Sequence, residues 1–297
     1  MSKLLAIILF FIVPVCASAQ KTDLRLKKKI DGLIKEFNGG VGVYVQHLRT
    51  KKVVAINADS LFPTASMVKI PIMIGIAEKI NNQELEEHQP LVYKDSLLYA
   101  GVDILGSFRS NEKIELGKLI LLMLSTSDNT ASLWLQSLAG GGTTINLLLA
   151  KLGFTQTRVN SRTPGREVNQ KLYGWGQTSP REMAGLLTKI YYGDIINPAS
   201  SQKMLRWLGR NYWDDVAISQ VPSEIFVASK NGAVDRSRSE VLLVRAPHGP
   251  YVFCISTRDL QDTTWKTENE AWVLTRKLSA LLWNHYEPRY RPPSRLK

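Results

Sequence analysis

The chain has 297 residues, of which 44% are hydrophobic and 22% charged, and 38 lysines and arginines against 26 aspartates and glutamates give a formal net charge of +12. This balance is that of an ordinary soluble globular protein, and it excludes a disordered protein, a coiled coil and a collagen-like repeat. The length predicts one large domain or two intertwined ones. A chain of this length can bury a hydrophobic core that is stable without disulfides or bound metals. Two cysteines, Cys16 and Cys254, are too few for a disulfide scaffold.

The N-terminal segment is typical of a cleaved secretory signal. A short positive start precedes an apolar run over 4–15, and Ala17-Ser18-Ala19 offers the small residues that a signal peptidase reads. The run is too short to span a bilayer comfortably, so we expect cleavage after position 19 rather than an uncleaved anchor. The sequence therefore predicts a periplasmic or secreted protein with no stable membrane insertion after cleavage. Cys16 leaves a lipoprotein form open, although the bulky Val15 precedes it.

The positive charge predicts a solvated surface attracted to an anionic envelope rather than a nucleic-acid site. The sequence has neither zinc-finger spacing nor an aromatic-basic RNP-like run, so we expect no nucleic-acid partner. The histidines lack metal-ligand spacing, so we predict no metal site. We also expect no cofactor and a monomer. These histidines are His47, His88, His248 and His285.

The predicted elements follow from hydrophobic periodicity and from turn residues. The predicted helices cover 21–37, 66–80, 114–152 with breaks at 125–129 and 140–142, 180–192 and 267–286. The predicted strands cover 41–48, 53–57, 224–228, 241–246 and 251–257. The second helix should begin close to Ser66, because Pro71 is tolerated in a first turn but not in a helix interior. Residues 159–179 show no clear period and are predicted to form a long loop, which in a compact domain is usually functional or disordered.

Strands near both ends of the chain, with helices between them, predict an α+β fold in which one sheet is assembled from the two termini around an inserted helical domain. The expected divisions are a signal peptide over 1–19, a sheet domain formed by 20–60 with 221–287, a helical domain over 61–220, and a basic tail over 288–297.

Three short motifs carry side chains suited to catalysis. Ser66-Met67-Val68-Lys69 lies at a predicted helix start, where residues three apart share a face and the helix N-terminus adds a partial positive field. Ser127-Asp128-Asn129 lies between two helical stretches, and Lys230-Asn231-Gly232 directly follows a predicted strand. Each motif alone is equally typical of a helix cap or a turn. Together, and in this order, they indicate the S-x-x-K, S-D-N and K-T-G set.

In this set the sequence resembles class A β-lactamase-related serine hydrolases. The resemblance covers about 24–286 and includes Phe62-Pro63-Thr64-Ala65 before the serine and Thr178-Ser179-Pro180 before a helix. It implies a five-stranded antiparallel sheet with flanking terminal helices beside an all-helical domain, with the cleft between them. It also implies hydrolysis of a β-lactam amide through an acyl-enzyme, and a small-molecule substrate that carries a carboxylate.

The resemblance implies a role for each catalytic residue. Ser66 would be the nucleophile, and Lys69 would be its base when neutral. Lys230 would be the second cation that lowers the pKa of Lys69, and it would hold the hydroxyl of Ser127. Ser127 would relay a proton to the leaving nitrogen.

The substrate-binding residues follow in the same way. Asn129 would bind the substrate's amide side chain, and the backbone N–H groups of Ser66 and Ala233 would form the oxyanion hole. The substrate carboxylate would lie near Lys230, Asn231 and Gly232. Arg238 is the candidate for its distal clamp, with Arg236 as the rival, because arginine binds carboxylates bidentately.

Two departures from the family pattern bear on deacylation. Glu167, the one carboxylate between 159 and 180, is the candidate second base, but Lys171 rather than asparagine follows it by four residues. Asn231 replaces the threonine or serine of the third motif and so lacks the hydroxyl. Acylation is therefore expected to be intact and deacylation to be impaired. A peptidoglycan D-alanyl peptidase or transferase, and a penicillin-interacting sensor that acylates without turnover, remain as alternative functions.

Overall fold

A computed structural model describes residues 21–99, 101 and 104–291, and the predicted signal peptide lies outside these ranges. The strands are β1 (Gly40–His47), β2 (Val53–Ile56), β3 (Phe62–Pro63), β4 (Pro90–Val92), β5 (Lys113–Glu115), β6 (Arg158–Val159), β7 (Gly176–Thr178), β8 (Val227–Val234), β9 (Ser237–Val244) and β10 (Tyr251–Arg258). Five of them form one antiparallel sheet in the order β2-β1-β10-β9-β8. The predicted α+β fold with its five-stranded sheet is confirmed.

The helices are α1 (Leu24–Ile34), α2 (Lys69–Asn81), α3 (Leu116–Leu121), α4 (Asn129–Leu138), α5 (Gly141–Lys151), α6 (Glu167–Tyr173), α7 (Pro180–Tyr192), α8 (Pro198–Leu208) and α9 (Glu270–Tyr286). Single turns of 3₁₀ helix occupy Ala65–Val68, Asp95–Leu97, Leu105–Ser107 and Ile218–Gln220, and a π turn occupies Leu122–Thr126. Within the described ranges, none of these helices is both long and apolar enough to cross a bilayer.

The two faces of the sheet carry separate cores. Helices α1 and α9 cover one face, where Leu26, Ile30 and Leu278 are fully buried. Helices α2, α4, α7 and α8 cover the other, and α2 reads as a nearly continuous apolar run because it is buried on all sides. The free thiol of Cys254 lies in this second core, and burial raises its pKa to about 12.

Three sequence predictions differ from the structure. The 159–179 segment is not one loop, since β6, α6 and β7 lie within it; α6 has no buried residue, and this explains the missing apolar period. Helix α8 was not predicted, although Asn197 caps it through the Ser200 N–H and Pro198 occupies its first turn. Strand β8 begins later and runs longer than the predicted 224–228.

Candidate active site

Ser66 lies on a 3₁₀ turn directly ahead of helix α2 and lines a cleft of about 700 Å³. Ala65, just before it, has a φ of 44°, a left-handed conformation that is uncommon for a residue with a side chain. Such strain is held only where the surrounding structure fixes it, and it occurs often at functional sites. The helix that was predicted to begin close to Ser66 has its α-helical part three residues later, at Lys69, because residues 65–68 form the 3₁₀ turn.

Lys69 is the centre of the polar network in this cleft. Its ammonium nitrogen lies 3.1 Å from the Ser66 hydroxyl, 2.9 Å from the Ser127 hydroxyl and 3.0 Å from the amide oxygen of Asn129. It also donates to the Ser127 carbonyl at 2.7 Å. The side chain is fully buried, and burial together with the nearby charge of Lys230 lowers the pKa of Lys69 well below its usual value. A lysine in this setting can be neutral and can accept a proton.

A π turn precedes the second motif, Ser127-Asp128-Asn129, and sets its backbone conformation. Residues 122–126 form that turn, and Ser127 follows it in a left-handed conformation with a φ of 64°. Single π turns inside helices often mark functional sites. This geometry leaves the Ser127 hydroxyl within hydrogen-bond distance of Lys69. Asn129, the first residue of α4, reaches the same ammonium group.

Asp128 holds this motif in place from behind. Its carboxylate caps α4 by accepting the Ala131 N–H at 2.7 Å. It also accepts the N–H groups of Ile104 and Leu105 at 2.7 and 3.0 Å. The Asp128 side chain is fully buried, and so are Leu105 and Ala131, so the N–H groups of these two residues have no ready access to replacement water. Asp128 thus ties the backbone at 104–105 to the start of α4.

Asp128→Ala is expected to destabilise the protein by about 2–4 kcal/mol. The substitution removes a helix cap, which is worth about 0.5–2 kcal/mol, and leaves buried N–H groups unpaired at about 1–3 kcal/mol each. Urea unfolding at neutral pH measures this change. Asp31→Ala, which removes a half-buried carboxylate that pairs with Lys27, is the control and should change stability by less than about 1 kcal/mol. Equal losses in the two variants would contradict the structural role of Asp128.

Lys230 lies within strand β8, so the third motif does not follow a strand as the sequence suggested. Its ammonium donates to the Asn231 carbonyl at 3.1 Å and to the Asn231 side-chain oxygen at 3.0 Å. Among the described residues it makes no hydrogen bond to Ser127, which is bound by Lys69 instead. The expectation that Lys230 holds the Ser127 hydroxyl was therefore wrong. Lys230 is fully buried, and burial lowers its pKa to about 7.

Glycine at position 232 is required by a close approach of two backbone segments. A Cβ atom there would lie 2.4 Å from the Thr64 carbonyl oxygen and 2.9 Å from the Ser66 nitrogen. The edge strand β8 can therefore pack directly against the 3₁₀ turn of the nucleophile. Ala233, the next residue, lines the cleft together with Ser66, as the expected oxyanion hole requires.

Arg238 does not line the cleft, and its assignment as a carboxylate clamp is corrected. The residue is 1% exposed, and its guanidinium donates to the carbonyls of Val234, Ser237 and Thr264. It also lies 4.3 Å and 4.8 Å from the rings of Trp265 and Trp272. These contacts occupy the fork that a substrate carboxylate would need. Arg236 and Arg258 line the cleft instead.

Glu167 does not reach the cleft either. It is exposed in the first turn of α6, where its carboxylate accepts the Gly165 N–H at 3.1 Å. The cleft wall at this point is formed by Leu172, Tyr173 and Trp175. Among the described residues that line the cleft, the only carboxylate belongs to Asp259, which pairs with Arg258 at 3.7 Å.

An aromatic wall of the cleft was not predicted from the sequence. Tyr99 and Trp175 meet edge to face with ring centroids 5.0 Å apart, and both line the cleft. They come from segments 76 residues apart in the chain, so no local pattern could pair them. Among the described residues, no group of three or more metal-ligating side chains is placed to hold an ion.

The sequence of this chain matches a known protein family and known relatives. A model of the β-lactamase enzyme family matches residues 25–286. The β-lactamase VEB-1 of Pseudomonas aeruginosa is 24% identical over 95% of this chain and 97% of its own.

Solved structures show the same fold. PBP-A aligns with a TM-score of 0.80 at 22% identity, covering 91% of this chain and 98% of its own. A class A β-lactamase from Mycobacterium abscessus aligns with a TM-score of 0.78 at 20% identity, covering 88% of this chain and 99% of its own. The family match runs from the start of α1 to the end of α9 and includes all three motifs, and this protein therefore belongs to the β-lactamase enzyme family.

Proposed function

We propose that this chain is an exported serine hydrolase of the class A type, which opens β-lactams through an acyl-enzyme on Ser66 and releases the product slowly. The observation that carries this proposal is the placement of the buried Lys69 ammonium, 3.1 Å from the Ser66 hydroxyl and 2.9 Å from the Ser127 hydroxyl. A nucleophilic serine needs such a base within hydrogen-bond reach. Because Lys69 also contacts the Ser127 hydroxyl, the proton that it accepts from Ser66 can pass through Ser127 to the leaving group.

Acylation follows from these contacts. Neutral Lys69 takes the Ser66 proton as the oxygen forms its bond to the substrate carbonyl carbon, and the N–H groups of Ser66 and Ala233 bind the oxyanion. The carbon–nitrogen bond of the substrate then breaks. Its nitrogen takes the proton of the Ser127 hydroxyl, which regains one from the Lys69 ammonium. The proton lost by Ser66 thus ends on the leaving nitrogen.

Among the described residues that line the cleft, no unpaired carboxylate is placed to act as a base for deacylation. Water must lose a proton as it attacks the acyl-enzyme, and a positioned base commonly accelerates such a step by about 10²–10⁴-fold. Glu167 is turned to solvent, and Asp259 is already paired with Arg258. We therefore expect acylation to be faster than hydrolysis of the acyl-enzyme.

Intact-mass spectrometry over time tests this proposal. Mixing with penicillin G should produce one covalent adduct per chain, mapped by digestion to the peptide that contains Ser66, and the adduct should decay more slowly than it forms. A chromogenic cephalosporin should be turned over slowly, after a burst of about one product per chain. Rapid turnover without an accumulating adduct would contradict slow deacylation. The absence of an adduct with several β-lactams would reject the whole proposal.

A D-alanyl peptidase or transferase is the second candidate. The observation that favours it is that the described residues lining the cleft beside Ser66 include no unpaired carboxylate to activate water. The solved structures that share this fold include an acyl-enzyme complex of a PBP-A mutant with penicillin G, at a TM-score of 0.79. Release of D-alanine from a peptide ending in D-alanyl-D-alanine would support this activity. A permanent adduct with neither activity would indicate a penicillin-interacting sensor.

A further inference from the structure

Helix α6 forms part of the cleft wall, yet burial does not hold it in place. None of its residues is buried, and Val168 and Leu172 are 72% and 67% exposed. Leu172 and Tyr173 nevertheless line the cleft beside Ser66, as does Trp175 just after the helix. A helix of two turns without a buried face is not stable by itself. Polar contacts must therefore hold this α6 wall, which consists of Leu172, Tyr173 and Trp175.

Arg166, the residue before α6, supplies several of these contacts. Its guanidinium donates to the side-chain oxygen of Asn160 through Nε at 3.0 Å and through Nη2 at 2.9 Å. The same Nη2 donates to the side-chain oxygen of Gln177 at 2.6 Å, and this oxygen also accepts from the Asn169 amide of α6 at 2.9 Å. Asn160 and Gln177 are both buried. Because arginine has only donors, both amides must turn their oxygens towards it.

Asn160 joins the two ends of α6. Its side chain accepts from Arg166 ahead of the helix, and its backbone N–H donates to the Trp175 carbonyl after the helix at 2.8 Å. The Ser161 N–H donates to the same carbonyl at 3.0 Å. The segment that carries α6 is thus closed at its base, and loss of the Arg166 guanidinium would open one side of that closure.

Gln177 connects this closure to the nucleophile. It lies on β7, opposite Pro63 of β3. In the next residue pair, the Thr64 N–H donates to the Gly176 carbonyl at 2.9 Å, and Ser66 lies two residues after Thr64. The guanidinium therefore fixes α6 relative to the segment that leads into the nucleophile's turn.

Tyr99 faces the α6 wall and is anchored separately. Its N–H donates to the Thr130 hydroxyl of α4 at 2.9 Å, and its ring meets that of Trp175 edge to face with the centroids 5.0 Å apart. Asn129, expected to bind the substrate's amide, immediately precedes Thr130 and lines the same cleft. A group carried on that amide would lie beside Tyr99 and Trp175, whose rings favour an apolar or aromatic partner.

We propose that Arg166 is a positioning residue, which holds the α6 wall so that Leu172 and Trp175 pack against an apolar group on the substrate's amide. The inference rests on the proposed function, because the amide is that of a β-lactam bound beside Ser66. Without the guanidinium, the wall could move and would have to be ordered on binding, which lowers affinity. The chemical step would not change, since Arg166 makes none of the hydrogen bonds that hold Lys69 to the reacting hydroxyls.

Arg166→Met tests this role with two substrates, because methionine keeps an apolar stem but offers no donor. The dissociation constant of the complex that precedes acylation should rise about 10-fold for penicillin G, which carries a benzyl group on its amide. It should stay unchanged for aminopenicillanic acid, the same nucleus without that side chain. The acylation rate constant at saturation should stay unchanged for both, as expected when only binding is lost.

Arg162→Met is the control for this substitution. Arg162 is an exposed arginine of the same segment, and its loss should leave the binding and acylation constants unchanged. An unchanged dissociation constant for penicillin G in Arg166→Met would overturn the proposal. Equal rises for the two compounds, or a slower acylation step, would also overturn it.

Hydrogen exchange tests the anchoring without a substrate. In Arg166→Met, the N–H groups of Asn160 and Ser161, which donate to Trp175, should exchange faster than in the unsubstituted protein. Arg166→Lys, a milder variant that keeps one charged donor in place of the fork, should change exchange and affinity in the same direction but by less. Unchanged exchange in both variants would overturn the proposal. Faster exchange in a protein that forms no adduct on Ser66 would instead support the anchoring and reject the proposed function.

Discussion

Lys69→Met is expected to lower the rate of Ser66 acylation by about 10²–10⁴-fold, the usual contribution of a positioned base. Methionine fills similar space but cannot accept the Ser66 proton or return one to Ser127. The variant should still fold, because it replaces a fully buried amine with an apolar side chain. The rate of acylation by penicillin G is measured by stopped flow or by mass spectrometry, and it reports the loss of catalysis. The thermal unfolding midpoint, measured on the same variant, reports any loss of stability.

Lys79→Met is the matched control on the same helix. Lys79 pairs with Glu84 near the end of α2, far along the helix from Ser66, and only its exposed ion pair would be lost. Its acylation rate should equal that of the unsubstituted protein. If Lys69→Met acylated at an unchanged rate, the base for Ser66 would have to be another group, and the network around Lys69 would be structural.

Gly232→Ala is expected to reduce acylation by about 10²-fold, because displacement of reacting groups by about 1 Å is enough for that loss. The added Cβ would lie 2.4 Å from the Thr64 carbonyl oxygen and 2.9 Å from the Ser66 nitrogen. Both contacts are with backbone atoms, so either strand β8 or the nucleophile's turn must move. That movement separates Ser66 from Ala233, whose N–H groups would bind the oxyanion together. The acylation rate constant with penicillin G measures the effect.

Gly32→Ala provides the control for this substitution. Nothing lies within 4 Å of a Cβ at Gly32, which sits within helix α1 on the far face of the sheet. Alanine there should stabilise the helix by about 0.5–1 kcal/mol and leave acylation unchanged. Normal acylation by Gly232→Ala would show that the close approach of β8 is not needed for the reaction.

The sequence predicts the contact between Ser66 and Lys69 because it is local. Ser66 and Lys69 are three residues apart at a helix start, and the structure brings their side chains together. The sequence does not predict that Ser127 and Asn129 reach the same ammonium group, because they are 58 and 60 residues away from Lys69 in the chain. The number of sheet strands and their antiparallel pairing also follow from the family resemblance and were confirmed.

The features missed by the sequence depend on register and on side-chain direction. Arg238 and Arg236 are two residues apart on one hairpin, and only the structure shows that indole rings and backbone carbonyls already occupy the guanidinium of Arg238. Glu167 was the only carboxylate in its segment, but α6 turns it to solvent. Lys230 was expected to follow a strand, but it lies within β8, where it pairs with Val241 of β9.

The position of β1 in the sheet has a consequence for how the chain folds. Gly40 pairs with Arg258, and β1 separates the hairpin partner β2 from the three C-terminal strands. The centre of the sheet therefore joins segments more than two hundred residues apart, and the entropy of closing that loop must be offset before the strands stabilise one another. Proteins dominated by such distant contacts fold slowly. A nascent chain that stops before Tyr251 would expose the long edge of β1, so its first strands would stay open to aggregation until the last sixth of the polypeptide arrives.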